Sequence, residues 1–332
     1  MNRLLIVLLI LFLGSSCESW IDVKPENQVT YTNFFEDEKD VEGAAFQMFA
    51  AECAYIGCEG DYLKWQGMLA DEWSDTYNAP RLGRFADLAG GWGSAPWKHS
   101  YDIVFLANTI LENAHRANMS KDRLDFWIGQ ASFAKGLAYF ELVRLFGNVP
   151  MVDRPMSPSE IKSVKQSTAV DILNNRVIPD LKKSEDLPYK ADMQDANGAK
   201  IDKKGRADKM AAKAMLARVY MTLAGYPYND TNAKSLAKTQ LENVLDDSHA
   251  AAYWAPSLEE WQKQWMPTDA YYNKYSIFAI QYRTGGTGNP AIFNMLPVKI
   301  VPEDWSKNYN FSQNSIYVEK TLMHEFAREY SN

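Results

Sequence analysis

Residues 129–152, GQASFAKGLAYFELVRLFGNVPMV, contain most of one long helix and the signal that ends it. Apolar residues recur here and just upstream at three- and four-residue steps, which predicts an amphipathic helix with one buried face. That face comprises Leu124, Trp127, Ile128, Ala131, Ala134, Ala138, Leu142 and Leu145. Gly147 can take the left-handed conformation of a C-terminal cap and Pro150 prevents continuation, so we expect the helix to end at Gly147.

Apolar residues at helical spacing predict further helices over 37–54, 97–117, 168–181, 206–223 and 232–244. In the predicted helix over 37–54, Glu52 occupies a position on the apolar face. In the second, Asn108 lies on a face that also carries Phe105, so it needs a hydrogen-bonding partner if it is buried. The rest of that face comprises Tyr101, Val104, Ile110 and Leu111. In the fourth, Ala207, Ala211, Ala214 and Ala217 form a seam along which another helix could approach closely.

Two helical hairpins, residues 98–146 and 206–246, have the alanine-rich character of tetratricopeptide-like units, although no strict 34-residue repeat is visible. The predicted fold is all-α, with tetratricopeptide-like hairpins that form an α/α superhelical scaffold with long loops and little β structure. Hydrophobic residues make up 46% of the chain, which is enough for a sizeable core. The net charge of -7 argues against a nucleic-acid partner, because phosphate binding needs a concentrated positive surface.

The first sixteen residues are predicted to be a signal peptide. Arg3 gives a positive start, residues 4–13 are apolar, and Gly14, Ser15 and Ser16 are small. Ten apolar residues are too few to span a bilayer. Cys17 follows directly, an arrangement typical of a bacterial lipoprotein in which that cysteine is lipidated, although an ordinary secretory peptide is the alternative. Cys53 and Cys58 form a disulfide only if the helix ends near Gly57, and two free thiols are the favoured interpretation.

Several motifs occur along this chain in the same order as in the sequences of one known family. CESWIDVKPENQVT (17–30) is similar to its lipidated start, and residues 97–113 match its W, Y, I, A-N, I-L-E helix. Residues 129–152 match its L-V-R-L-F-G, V-P helix, and KMAAKAMLARVYMTLAG (209–225) matches its A-R-V-Y, A-G helix. YSIFAIQYRTGGTGN (275–289) is similar to the extended segment that opens its C-terminal half. The chain therefore resembles the SusD/RagB family of Bacteroidetes outer-membrane lipoproteins.

The resemblance implies a lipid-anchored protein at the cell surface, in the outer membrane, that captures glycans for a SusC-like TonB-dependent transporter and is not an enzyme. It also implies a helical domain over 17–250 and the start of a C-terminal domain over 251–332. Because family members continue further, we expect that second domain to be incomplete. A peptide-binding RagB-like member is the alternative within the family.

Sugar capture needs flat aromatic faces beside polar groups that bond hydroxyls. Trp65, Trp73, Trp92 and Trp97 cluster in a segment rich in Gly, Pro, Asn and Ser, which predicts an exposed loop. The resemblance implies that this loop contributes to the binding face. The predicted ligand contacts are Trp73, Tyr77, Asn78, Arg81 and Trp92. Packing of these aromatic side chains onto the helices is the alternative, and it is the interpretation favoured for Trp97.

Catalysis finds little support in the sequence. His324 and Glu325 begin an apparent zinc-protease motif, but Arg328 stands where its second histidine is required. The four histidines are scattered, so we predict no metal and no cofactor. A surface glycoside hydrolase remains the enzymatic alternative, because Asp71, Glu72 and Asp75 could supply its two carboxylates. Carboxylates in exposed loops are commonly solvated, or occasionally bind calcium.

Overall fold

The structure is a computed structural model, which describes residues 34–57, 73–75, 94–201, 205–263, 275–280 and 316–318. The long helices are α1 (Glu38–Gly57), α2 (Ser94–Asn113), α3 (Lys121–Phe146), α7 (Lys209–Ala224) and α8 (Thr231–Leu245). Shorter ones are α4 (Pro158–Ile161), α5 (Ala169–Ile172), α6 (Ile178–Ser184) and α9 (Leu258–Lys263). Short strands are β1 (Trp73–Asp75), β2 (Val149–Pro150), β3 (Gln166–Ser167) and β4 (Ile316–Val318).

The helices pack mainly against their neighbours in the chain. In sequence, α1 packs on α2, α2 on α3, α3 on α6, α6 on α7, and α7 on α8. Such packing of each helix on its neighbours in the chain is the organisation of a helical solenoid. The all-α class is confirmed, and both predicted hairpins are present as α2–α3 and α7–α8. The division at residues 16 and 250 stays a prediction.

Helix α3 forms the centre of this scaffold. Ser120 caps its first turn by accepting a hydrogen bond from the Arg123 amide, and Gly147 follows its last residue with a positive φ of 72°, as predicted. The prediction of a single buried face is wrong, because nearly every residue from Phe126 to Val143 is buried. Neighbouring helices cover several sides of α3, so its polar residues Gln130 and Lys135 are buried with the apolar ones.

The segment predicted as a helix over 168–181 extends to Ser184 with an interruption. Thr168 caps α5, a π-helical turn occupies Leu173–Val177, and α6 follows with Pro179 in its first turn. In the wider turn the Ile178 amide donates to the Leu173 carbonyl five residues back. Because a proline in a regular α-helix collides with the carbonyl four residues earlier, the wider turn accommodates Pro179 inside the segment.

Burial on α2 agrees with the prediction except at one position. Asn108 is buried, and its Nδ2 donates to the Val152 carbonyl over 3.0 Å, which supplies the partner that burial requires. Phe105, predicted to face inward, is 49% exposed. It lies one residue after the fully buried Val104, a step of about 100° around the helix that turns its ring outward. Within the described residues, no helix is both long and apolar enough to cross a bilayer.

Candidate functional site

The five predicted ligand contacts fall almost entirely outside the described residues. Tyr77, Asn78, Arg81 and Trp92 lie outside them, and for Trp73 only the backbone is described. Cys17 and Cys58 also lie outside, as does the side chain of Cys53. The predicted ligand site, the lipidation and the cysteine pairing therefore stay predictions.

The described part of the aromatic segment is a strand. It lies between the end of α1 at Gly57 and the start of α2 at Ser94, and β1 within it pairs antiparallel with β4. In this pairing Trp73 is opposite Val318 and Asp75 is opposite Ile316. The backbone around Trp73 is therefore held by a segment near the other end of the chain.

Trp97 packs onto the helices, as predicted. Its ring centroid lies 5.0 Å from that of Tyr101 and 5.1 Å from that of Phe146, so it joins the start of α2 to the end of α3. By contrast, Trp254 is 66% exposed and Trp261 is 50% exposed near the end of the helical region.

A cavity of about 550 Å³ lies against the inner helices. We call it the central cavity. Its described walls come from α1, α2, α3, α7 and the irregular segment 275–280, whose Phe278 ring packs on the Phe133 ring at 4.9 Å. Ala134 and Ala138 of α3 and Ala211 and Ala214 of α7 line it. Part of the predicted alanine seam thus faces open space, because small side chains on the two helices leave room between them.

Two buried polar side chains, Glu52 and Ser100, face this apolar space. Burial raises the pKa of the Glu52 carboxyl to about 8, so the group is mostly neutral at pH 7. The Ser100 hydroxyl has no hydrogen-bond partner among the described residues. A buried hydroxyl without a partner costs about 1 to 3 kcal/mol, which makes this wall of the cavity receptive to a polar atom.

A second set of buried polar groups joins α3 to the segment from α5 to α6. We call Lys135, Arg176 and Asp180 the Asp180 cluster. The Lys135 Nζ lies 3.5 Å from Oδ2 of Asp180, and an Arg176 guanidinium nitrogen lies 3.9 Å from Oδ1. Burial outweighs both cations and raises the pKa of Asp180 to about 6, and burial also lowers the pKa of Lys135. Sequence patterns alone do not predict this cluster, and the one available signal is a lysine inside an apolar helical pattern.

A third set, the Asp247 cluster, follows α8. The Asp247 carboxylate accepts hydrogen bonds from Lys213 Nζ at 2.5 Å, the Tyr189 hydroxyl at 2.7 Å and the His249 amide at 2.9 Å. The Tyr189 and His249 rings stack at 3.7 Å. Burial alone would raise the pKa of Asp247, but these donors outweigh it and hold the pKa well below its usual value. The cluster fastens the segment before α7 to the segment after α8.

The described residues hold no group of three His, Cys, Asp or Glu side chains that could bind a metal ion. Their geometry thus comprises a helical scaffold, an apolar cavity and two charge clusters.

The chain is similar to known proteins of one family. A family profile described as starch-binding and associating with the outer membrane, SusD-like, matches residues 87–221. A SusD-like protein of Bacteroides ovatus is 23% identical over 262 residues, which cover 74% of this chain and 44% of that protein. The chain spans less than half the length of the curated relatives it matches.

Solved structures share the fold. A SusD superfamily protein from Parabacteroides distasonis superposes with a TM-score of 0.67 at 18% identity, covering 91% of this chain and 61% of that one. A laminarin-binding SusD-like protein superposes with a TM-score of 0.63 at 19% identity, covering 80% and 57%. The predicted resemblance to the SusD/RagB family is supported by the profile match over residues 87–221 and by the SusD-like relatives, and the solved SusD-like structures share the fold.

Proposed function

We propose that the protein is a cell-surface lipoprotein that captures oligosaccharide or polysaccharide and delivers it, without cleaving it, to a SusC-like TonB-dependent transporter. The observation that carries the proposal is the match of residues 87–221 to a family described as starch-binding and outer-membrane-associated. A related fold in a protein named as laminarin-binding adds support.

The proposed glycan-binding site is formed by the aromatic segment between α1 and α2. Trp73, Tyr77 and Trp92 would stack on the apolar faces of pyranose rings, and Asn78 and Arg81 would bond the hydroxyls. The pairing of β1 with β4 supports the inclusion of Trp73, because a residue whose backbone is paired has less entropy to lose on binding.

Binding is tested with a panel of starch, laminarin and xyloglucan oligosaccharides in isothermal titration calorimetry. For the glycan that binds, we expect Trp73→Ala and Trp92→Ala each to weaken affinity about tenfold, because each removes a stacking surface. Trp254→Ala is the matched control, since it removes an exposed indole outside the proposed site. Equal affinity in all three variants would refute this site.

The absence of cleavage is tested on the same glycans by chromatography after long incubation. We expect intact polymer, whereas product release abolished by Asp71→Asn, Glu72→Gln or Asp75→Asn would establish the glycoside hydrolase instead. Retention of peptides with no retention of any glycan would favour the peptide-binding alternative.

Anchoring and delivery are tested in cells. We expect Cys17→Ser to abolish metabolic labelling with a fatty acid and to release the protein from the outer-membrane fraction. We also expect the unaltered protein to co-purify with a TonB-dependent transporter from solubilised membranes. Membrane retention of the Cys17→Ser variant would contradict the lipid anchor, and purification without a transporter would contradict delivery.

A further inference from the structure

The central cavity has the composition of a binding site, but one unsuited to a sugar. Its described lining is dominated by aliphatic side chains such as Ile103, Leu137 and Met215. A sugar needs hydrogen-bonding partners around its whole perimeter, whereas polar groups here are few. Small-molecule sites are typically apolar spaces of 300 to 1,000 Å³ with a few convergent polar groups, and this cavity lies within that range.

The polar groups narrow the chemistry of the occupant. Glu52 is 4% exposed and Ser100 is 1% exposed. Burial alone accounts for the raised pKa of the Glu52 carboxyl, and the Ser100 hydroxyl has no hydrogen-bond partner among the described residues. The other two polar side chains in the described lining are Glu141, which is paired with Arg144 at 2.8 Å, and the exposed Arg218. Within the described lining, the groups open to a ligand are thus a carboxyl, which attracts a cation when it is ionised, and a hydroxyl, which can accept a hydrogen bond.

We propose that the central cavity binds a small aliphatic amine, with the ammonium group against Glu52 and Ser100 and the hydrocarbon body between α3 and α7. An ammonium carries three donors and no acceptor, so it can donate to the Glu52 carboxylate and to the Ser100 hydroxyl together. The hydrocarbon body packs against Ala134, Ala138 and Ala214, where the small side chains leave space. The central cavity is separate from the proposed glycan-binding site, and this proposal does not rest on glycan binding.

The pairing requires Glu52 to ionise, which gives the site a pH signature. In the free protein burial keeps this carboxyl mostly protonated at pH 7. Binding of an ammonium ionises the carboxyl, and its proton passes to the buffer. Below about pH 8, amine affinity therefore rises by up to about tenfold per pH unit, because deprotonation becomes progressively easier. The affinity of a neutral molecule with the same hydrocarbon chain should not depend on the ionisation of Glu52 in this way.

The test uses the full chain made with Cys17→Ser, so that it carries no lipid, and titrates it with octylamine, 1-octanol and octanoate. We expect octylamine to bind at least tenfold more tightly than octanol at pH 8, and octanoate to bind most weakly. Titration at pH 7 in buffers of different ionisation enthalpy should show proton release with octylamine alone. The proposal is overturned if octanol binds as tightly as octylamine, if no proton is released, or if none of the probes binds.

Two variants and one control localise the binding. Glu52→Gln keeps the size of the side chain and removes its charge, so it should abolish the preference for the amine and its pH dependence. Ala214→Leu fills the cavity from a partly exposed position on α7 and should abolish binding of all probes. Glu112→Gln, at an exposed position on α2, is the matched control. It should change neither the preference for the amine nor the binding of the other probes. Unchanged amine binding in both Glu52→Gln and Ala214→Leu would refute the assignment.

Discussion

A buried carboxylate at the centre of the scaffold behaves differently from one at its edge. The side chains of Asp180 and Asp247 are 11% and 4% exposed, yet the pKa of the first is raised and that of the second is lowered. Asp180 lies on α6 where this helix packs against α3, and its Oδ2 has no hydrogen-bond partner within the described residues. Asp247 lies beyond the end of α8, where three donors cover its oxygens.

The comparison shows that exposure alone does not decide whether a buried charge is stabilised. Asp247 is covered mainly by its own donors at the edge of the scaffold, so little of its solvation is lost without replacement. Asp180 is enclosed by packed helices, and its nearest cation is 3.5 Å away, beyond a good hydrogen bond. Neutralising either residue should therefore have different consequences.

The largest effect is expected at the centre. Burial of the Asp180 carboxylate is not fully offset by Lys135 and Arg176, so at pH 7 the neutral Asp180→Asn variant should raise the free energy of unfolding, by up to about 3 kcal/mol for a pKa raised from 3.8 to about 6. Urea unfolding followed by circular dichroism measures the change. The double variant Lys135→Met with Asp180→Asn should be more stable than Asp180→Asn alone, because burial also disfavours the Lys135 ammonium. A loss of stability in Asp180→Asn would show that the charge pair outweighs the cost of burial.

The sequence allowed prediction of the helices around these clusters but not of the clusters themselves. Helix α3 and its end at Gly147 follow from local spacing and a local cap. Lys135 meets Asp180 only because α6 folds back across α3, a tertiary contact that spacing does not encode. The burial of Glu52 followed from its place in an apolar helical pattern, but the cavity beside it depends on which helices face each other.

At the edge we expect a loss of stability, and a smaller change. Asp247→Ala removes an acceptor of three hydrogen bonds, and bonds to a charged group contribute about 1.5 to 3 kcal/mol in favourable cases. Water can replace part of them near the surface, so we expect a loss of about 2 kcal/mol in the same urea experiment. Tyr189→Phe, which removes one of the donors, should cost about 1 kcal/mol. A gain in stability for Asp247→Ala, as expected for Asp180→Asn, would remove the distinction between centre and edge.

The pH dependence of stability should differ in sign between the two sites. The native state holds the proton on Asp180 more tightly than the unfolded chain does, so its contribution falls as pH rises from its ordinary 3.8 to about 6. Asp247 has a lowered pKa, so its contribution is complete above its ordinary 3.8 and is lost as pH falls. Each slope is at most about 1.4 kcal/mol per pH unit.

Unfolding free energies from pH 2 to pH 7 for the unaltered protein, Asp180→Asn and Asp247→Asn measure these slopes. Subtracting each variant from the unaltered protein isolates its site from Glu52, which also titrates in this range. Asp180 should give a difference that falls between pH 4 and pH 6, and Asp247 one that declines only at the acid end. Two differences of the same sign would show that burial alone governs both carboxylates.

The smallest effects compare the packing of centre and edge with a single methyl group. Gly129 of α3 is buried, and a Cβ built there would lie 2.7 Å from Cδ2 of the buried Leu187. Gly43 of α1 is exposed, with no atom within 4 Å of its Cβ position. Alanine is the better helix former by about 0.5 to 1 kcal/mol, so Gly43→Ala should raise the free energy of unfolding by that amount.

At Gly129 the same gain is opposed by overpacking, which typically costs about 1 to 3 kcal/mol, so Gly129→Ala should lower the free energy of unfolding by about 1 kcal/mol. The pair Gly129→Ala and Leu187→Ala tests the cause. Leu187→Ala alone leaves a cavity, and Gly129→Ala added to it should be neutral or stabilising because the methyl group then has room. If Gly129→Ala remains destabilising in that background, the close approach to Leu187 is not what makes the centre intolerant of a methyl group.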